Sequence, residues 1–329
     1  MSLPVFPPVV SPLSPTLHLL TGATSGIGLE LARQLLAQPA TSLIVGARQP
    51  AAAYPLRALA RDDRLTILPL DLCSLASTAS FADAVAGRLK DRRLASVAAN
   101  AGVQIVGPRR MTGDGYEETF QANWLSHAAL IEWLRPLLAP AAPVVFTASG
   151  THDPAHVAAR RFGFRGGLFP GIARVAEGRL DETASVKQQG MDRYATSKLV
   201  AILHVYALAR REQEANGPRY FAFDPGLMAG TGLARERSAI ERFGWSALLP
   251  LFARVMPGAS TPLRSASALA LLLTGRAFAG ATGRHLDFTL TETASSADSR
   301  RTDWQDEVDD LARRSAHKGR PAASAIESM

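Results

Sequence analysis

Cysteine is almost absent: Cys73 is the single one in 329 residues. One thiol cannot form an internal disulfide or supply a cysteine-rich zinc site, so neither explains the fold, and a reducing, cytoplasmic setting is expected. Aromatic residues make up only 7% of the chain and charged residues 20%. Lys+Arg 36 against Asp+Glu 29 leaves +7, carried by scattered arginines such as Arg92-Arg93, Arg109-Arg110, Arg160-Arg161 and Arg210-Arg211. With no dense basic tract interleaved with aromatics, this charge reads as solvated helix faces, and nucleic acid is not an expected partner. A long hydrophobic run is missing as well. The opening MSLPVFPPVVSPLSPTLHLL is broken by prolines and lacks a basic start, so residues 1–15 are expected to form a flexible arm rather than a leader or span. The later FGWSALLPLFARVMPG contains Arg254 and two prolines and is too short to cross a bilayer, so no integral membrane association is expected.

What the chain does have is 47% hydrophobic residues, enough to exclude disorder and to build one large core. Short apolar runs at 17–20, 43–45, 66–70, 96–99, 144–147, 220–223 and 285–288 alternate with longer helix-type segments. Such alternation predicts an α/β fold: a doubly wound, Rossmann-type parallel sheet with helices on both faces. A single domain is expected over 16–315, with insertions near 151–191 and 230–262 placed to act as lids, and a disordered tail at 316–329.

The run at 17–20 leads into Thr21-Gly22-Ala23-Thr24-Ser25-Gly26-Ile27-Gly28 and then an amphipathic segment from Leu29 to Leu36. Strand, glycine turn and helix in this order make a phosphate-binding site: Gly22 allows the tight turn, Gly26 lets backbone approach a pyrophosphate, and Gly28 permits close helix packing. After the second strand comes Arg48, where an NAD-preferring site would place an acid for the ribose 2′-hydroxyl. A guanidinium there suits a 2′-phosphate, so NADP(H) is favoured over NAD(H). Asp71-Leu72, after the third strand, could hold adenine; a helix N-cap by Asp71 or Ser74 explains the same residues.

Tyr194 and Lys198 stand at i and i+4 at the start of a helical segment, one turn apart on one face. An ammonium beside a phenol favours the phenolate, which would bring the tyrosine within reach of acid–base work. Ser149 ends the buried run 144–147 at the expected crevice, where a hydroxyl could donate to a carbonyl oxygen. Asn100-Ala101-Gly102 ends the fourth strand, and Asn123 lies on the helix that follows.

Taken in order, TGATSGIG, NAG, Asn123, Ser149, YATSK and Asp224-Pro225-Gly226 resemble the short-chain dehydrogenase/reductase family over roughly residues 16 to 290. The resemblance implies strand order 3-2-1-4-5-6-7 and a nicotinamide cofactor bound by Thr21 to Gly28, Asn100, Ala101, Gly102, Tyr194 and Lys198. It implies Tyr194 as general acid–base, Lys198 lowering its pKa and holding the nicotinamide ribose, and Ser149 orienting the substrate oxygen. Asn123 would hold a water in a proton relay. Pro225, Gly226 and Leu227 would lie against the nicotinamide, with Thr231 near its carboxamide.

YATSKLVAILHVYALARR and PGLMAGTGL are similar to the branch holding retinol dehydrogenases and light-dependent protochlorophyllide reductases. Leu227 stands where the photoenzymes carry cysteine, and Ser149 where they carry threonine, which favours ordinary carbonyl and alcohol chemistry. The apolar stretch 243–256 points to a lipophilic small-molecule substrate. Two alternatives are a protochlorophyllide-type photoreductase and a non-catalytic NADP sensor. The resemblance also implies that helices carrying Asn123 and Tyr194 can pair between subunits, so a homo-oligomer is expected in part of this branch. No metal is expected: His127, His152, His156 and His204 form no ligand pattern, and His204 reads as a packing residue.

Overall fold

The computed structural model describes residues 16–59, 62–227 and 258–320. Its strands are β1 (Thr16–Thr21), β2 (Thr41–Ala47), β3 (Leu65–Pro69), β4 (Ser96–Ala99), β5 (Pro143–Thr147), β6 (Arg219–Asp224) and β7 (Arg284–Asp287). All pair in parallel, in the order β3-β2-β1-β4-β5-β6-β7. This is the doubly wound order, and every strand lies within two residues of its expected ends.

Because side chains alternate across a strand, a continuously apolar run feeds two cores at once. Leu19, Ile44, Val144, Phe146 and Tyr220 enter one core, and Leu20, Leu43, Val45, Val145 and Phe221 enter the other. The helices are α1 (Gly26–Leu36), α2 (Tyr54–Arg57), α3 (Leu75–Leu89), α4 (Glu118–Phe120), α5 (Ser126–Leu134), α6 (Val157–Arg161), α7 (Ile172–Ala176), α8 (Val186–Arg211), α9 (Pro262–Leu273) and α10 (Thr302–Gly319). On one face α1 packs with α9; on the other, α3 meets α5, and α10 lies across α5 and α8. Between α4 and α5 the chain forms a π-helical turn at Gln121–Leu125. Among the described residues no helix is long and apolar enough to cross a membrane.

Two expectations are corrected. The helix carrying Tyr194 begins at Val186, inside the expected insertion, because the Ser185 hydroxyl caps it by accepting from the Gln188 N–H at 3.2 Å. The folded chain also continues past 315: α10 runs to Gly319, Ala316 is buried, and the Trp133 indole donates to the Ala316 carbonyl at 3.1 Å. Residues 1–15, 228–257 and 321–329 lie outside the described residues, and with them the arm, the apolar stretch 243–256, Thr231 and the rest of the tail.

His204 packs edge-on against Trp124 at 5.5 Å and Phe146 at 5.6 Å between ring centroids. Among the described residues neither of its ring nitrogens has a hydrogen-bond partner, and its Nε2 lies 3.9 Å from Asp309 Oδ1. Glu132, His204 and Asp309 lie within 4.8 Å of one another, a spacing a cation could use. Arg211 supplies that charge itself, reaching Glu132 at 2.5 Å and Asp309 at 2.7 Å.

Burial lowers the His204 imidazole to about 3 and His18, His127, His152 and His285 to about 4. The unfolded chain therefore binds more protons than the folded one between pH 6.5 and 4, and stability falls as pH falls through that window. Acid unfolding followed by circular dichroism is expected to begin there, and His204→Phe, which removes one proton-binding site without breaking a hydrogen bond, should move its midpoint to lower pH.

Candidate active site

The carboxyl ends of β1, β4, β5 and β6 open into a cavity of about 560 Å³. At the end of β1 the chain turns through Gly22 and Gly26, with φ of +68° and +56°, a region that favours glycine. A Cβ on Gly28 would lie 2.2 Å from the Gly22 carbonyl oxygen, whereas one on Gly26 would meet nothing within 4 Å. Gly28 is thus fixed by the fold, and Gly26 leaves open space over the turn. Ser25 makes no side-chain cap bond, so the first-turn N–H groups of α1 remain available to an anion. The turn fits a dinucleotide pyrophosphate. Thr24, Ile27, Arg48, Asp71 and Leu72 line the same cavity. Arg48 is exposed and makes no ion pair among the described residues. Ser74, not Asp71, caps α3, accepting from Ser77 N–H at 3.1 Å; Asp71 closes a local turn by accepting from Cys73 N–H at 3.0 Å. Burial raises the Cys73 thiol to about 12, which leaves it inert.

A hydrogen-bonded chain links this turn to Lys198. Thr21 Oγ1 accepts from the N–H groups of Asn100 and Ala101, each at 3.0 Å. The Asn100 amide donates to the carbonyls of Thr21 and Gly22 at 3.2 and 3.3 Å. Its oxygen accepts from the Thr147 hydroxyl at 3.3 Å, and the Thr147 carbonyl accepts from Lys198 Nζ at 2.8 Å. His127 joins from α5, with Nε2 2.9 Å from Thr21 Oγ1 and Nδ1 3.3 Å from the Asn123 carbonyl.

The Lys198 ammonium lies 5.5 Å from the centroid of the Tyr194 ring, and Ser149 lines the same cavity. Ser149, Tyr194 and Lys198 therefore meet at one wall of the cavity, with Pro225, Gly226 and Leu227 from the loop after β6. Asn123, in the π-turn, has its amide committed: Oδ1 accepts from Val103 N–H at 2.7 Å, and Nδ2 donates to the Val103 carbonyl at 2.9 Å and to Ser197 Oγ at 2.9 Å. Gly102 packs against it, since a Cβ there would lie 3.2 Å from Asn123 Oδ1 and 3.6 Å from Lys198 Nζ.

The electrostatics run opposite to the expected phenolate. Burial, then the Asp224 carboxylate, push the Tyr194 phenol above its ordinary value, and only the nearby Ser149 hydroxyl acts downward. Burial brings Lys198 down to about 8. The ammonium is itself desolvated and is bonded to Thr147, so it does not offset the cost of a buried phenolate. Tyr194 holds its proton.

The sequence reading gave no role to two histidines beside Ser149. His152 Nδ1 lies 2.7 Å from the Ser149 carbonyl, and its Nε2 accepts from Ser296 N–H at 3.2 Å. His156 lines the cavity next to Gly150. Both stand in the aperiodic insertion, where spacing alone carries no signal.

A seven-strand parallel sheet with a glycine turn at a helix N-terminus defines a Rossmann-type framework of the dinucleotide-binding kind. Residues 17–157 match the family model described as short chain dehydrogenase. The short-chain dehydrogenase/reductase mfmJ of Annulohypoxylon moriforme is 32% identical over 266 residues, 79% of this chain and 74% of that protein. The short chain dehydrogenase resG of Aspergillus sclerotiorum is 36% identical over 218 residues, 62% of this chain but only 60% of that relative's length. The NADPH-bound carbonyl reductase from chicken fatty liver shares the fold, with a TM-score of 0.59 over 86% of this chain and 99% of that one at 20% identity. The chain belongs to the short-chain dehydrogenase/reductase family.

Gly26 and Gly28 separate ligand binding from folding. Gly26→Ala should cost about 1–2 kcal/mol of stability for its left-handed backbone, leave the chain folded, and abolish nucleotide binding by filling the open space. Gly28→Ala should cost about 1–3 kcal/mol or more from overpacking against the Gly22 carbonyl. Urea unfolding alongside nucleotide titration checks both.

Proposed function

We propose that this chain is an NADP(H)-dependent oxidoreductase interconverting a carbonyl and an alcohol on a lipophilic small molecule. The observation that carries the reading is that one cavity takes in the glycine turn and Arg48 at one side and Ser149, Tyr194 and Lys198 at the other. Thr21 to Gly28, Asn100, Ala101 and Gly102 would hold the dinucleotide, Asp71 and Leu72 its adenine, and Arg48 a 2′-phosphate. Bound there, the nicotinamide supplies or accepts the hydride. Pro225, Gly226 and Leu227 would fix the face it presents.

Ser149 would donate to the substrate oxygen, and the Tyr194 hydroxyl, which keeps its proton, would pass it to that oxygen as negative charge develops. This favours carbonyl reduction at neutral pH. Lys198 would bind the nicotinamide ribose. Asn123 acts by fixing the loop after β4 and, through Ser197, the turn of α8 that carries Tyr194: Ser197 Oγ donates to the Tyr194 carbonyl at 2.7 Å. Val103, Ile105, Ala158, Phe162 and Phe164 line the substrate side, which supports an apolar ligand.

Titration of the protein with NADPH and NADH tests the cofactor: Arg48→Asp should weaken NADPH about tenfold or more while NADH binding holds or improves. Tyr194→Phe should lose about 100-fold or more in NADPH-coupled turnover while still binding NADPH, as a non-catalytic sensor would not require. The pH profile follows from Lys198. Its charge is lost as pH rises through about 8, so kcat/KM for reduction should fall across that range, and Lys198→Arg should move the fall upward.

A further inference from the structure

Among the described residues, His156 and His285 each line the cavity with a ring nitrogen that the fold does not claim; His285 is buried, whereas His156 is partly exposed to the cavity. Its Nδ1 accepts from the Ala159 N–H at 3.2 Å, capping α6. A neutral ring nitrogen that accepts carries no proton, so the proton sits on Nε2. The backbone thus fixes the tautomer, and Nε2–H is a donor with no protein acceptor among the described residues. His152 differs: both of its nitrogens are bonded and it is buried.

The position of this donor is equally constrained. A Cβ on Gly150 would lie 2.6 Å from His156 Nε2, 2.7 Å from Cδ2 and 2.9 Å from Cε1. The Nε2 end of the ring occupies the space that any other residue at 150 would fill. Gly150 directly follows Ser149, and consecutive Cα atoms are about 3.8 Å apart, so Nε2–H sits within a few ångströms of the Ser149 segment. Gln104 lines the same cavity, is only 8% exposed, and its buried Nε2 has no acceptor. The cavity wall thus offers the His156 and Gln104 N–H groups to an acceptor, and a site that hydrogen-bonds a ligand oxygen discriminates against ligands lacking it.

We propose that His156 is a specificity-determining residue: its Nε2–H binds a second oxygen of the substrate, one or two atoms beyond the carbonyl carbon that Ser149 and Tyr194 address. The assignment rests on the reductase reading above. It names the substrate class as carbonyl compounds with a neighbouring ether, hydroxyl or carbonyl oxygen.

The test uses 2-methoxyacetophenone and butyrophenone, which differ by an ether oxygen in place of a methylene. Wild-type protein with NADPH should favour the ether in kcat/KM. His156→Phe should erase that preference by about tenfold, chiefly through KM, and His156→Gln, which restores an N–H donor, should recover it. Gly150→Ala, which displaces the ring, should match His156→Phe, with circular dichroism confirming that each variant is folded. An unchanged ratio in His156→Phe, equal losses on both ketones, or no wild-type preference would overturn the assignment. If neither ketone is turned over, the reductase reading fails, and quenching of bound NADPH fluorescence decides the donor. Ether-selective quenching that disappears in His156→Phe upholds it, and quenching without selectivity overturns it.

Discussion

Everything at the crevice depends on one run of hydrogen bonds along the carboxyl ends of β1, β4 and β5. A parallel sheet leaves its strand-end N–H and C=O groups unpaired at this edge, and burying them without partners would be costly. Thr21, Asn100 and Thr147 meet that requirement, with Lys198 as the last donor. The same bonds that satisfy the backbone thus set the distance from the glycine turn to the Tyr194–Lys198 pair. A ligand held at the turn is placed relative to Tyr194 by the sheet itself and not by a loop.

Burial then determines the charge states. Placing a phenol and an ammonium together in a dry site disfavours the charged form of each, so Tyr194 moves up and Lys198 down. Asp224 favours the protonated form of both. Four residues apart on α8, the two are rigidly spaced, and the Ser149 hydroxyl alone favours the phenolate. Such a site is arranged to give a proton to an oxygen that is gaining charge, which is why its resting electrostatics favour reduction.

The strands were legible in the sequence because strands buried on both faces must be continuously apolar, whereas their order came from the resemblance to the family. The glycine turn was legible because its backbone geometry admits so few residues. Other features had no local signal. The start of α8 at Val186 lies in a polar, exposed stretch whose cap, Ser185, looks like any loop serine. The extension of α10 depends on Trp133 and Ala316, 183 residues apart. The direction of the Tyr194 shift could not be read from i,i+4 spacing, since spacing reports the neighbour but not the burial of both partners. His127 and His152 are fixed in part by groups distant in sequence, the Thr21 hydroxyl and the Ser296 N–H, and His156 meets the cavity only through the folding of its loop.

The placement of α10 bears on how copies of the chain can meet. Pairing through the helices that carry Asn123 and Tyr194 needs the outer faces of α5 and α8 to be free. Here Val308, Ala312 and Ala316 of α10 are buried on that side of the sheet, and Trp304 stacks on Phe169 at 4.5 Å. Arg211 of α8 binds Glu132 of α5 and Asp309 of α10, joining three helices through one guanidinium. Removing α10 would expose its apolar seam and also leave Arg211 with part of its charge unpaired, so the helix is held by packing and electrostatics together. A second copy could use this face only by displacing α10, at the cost of both.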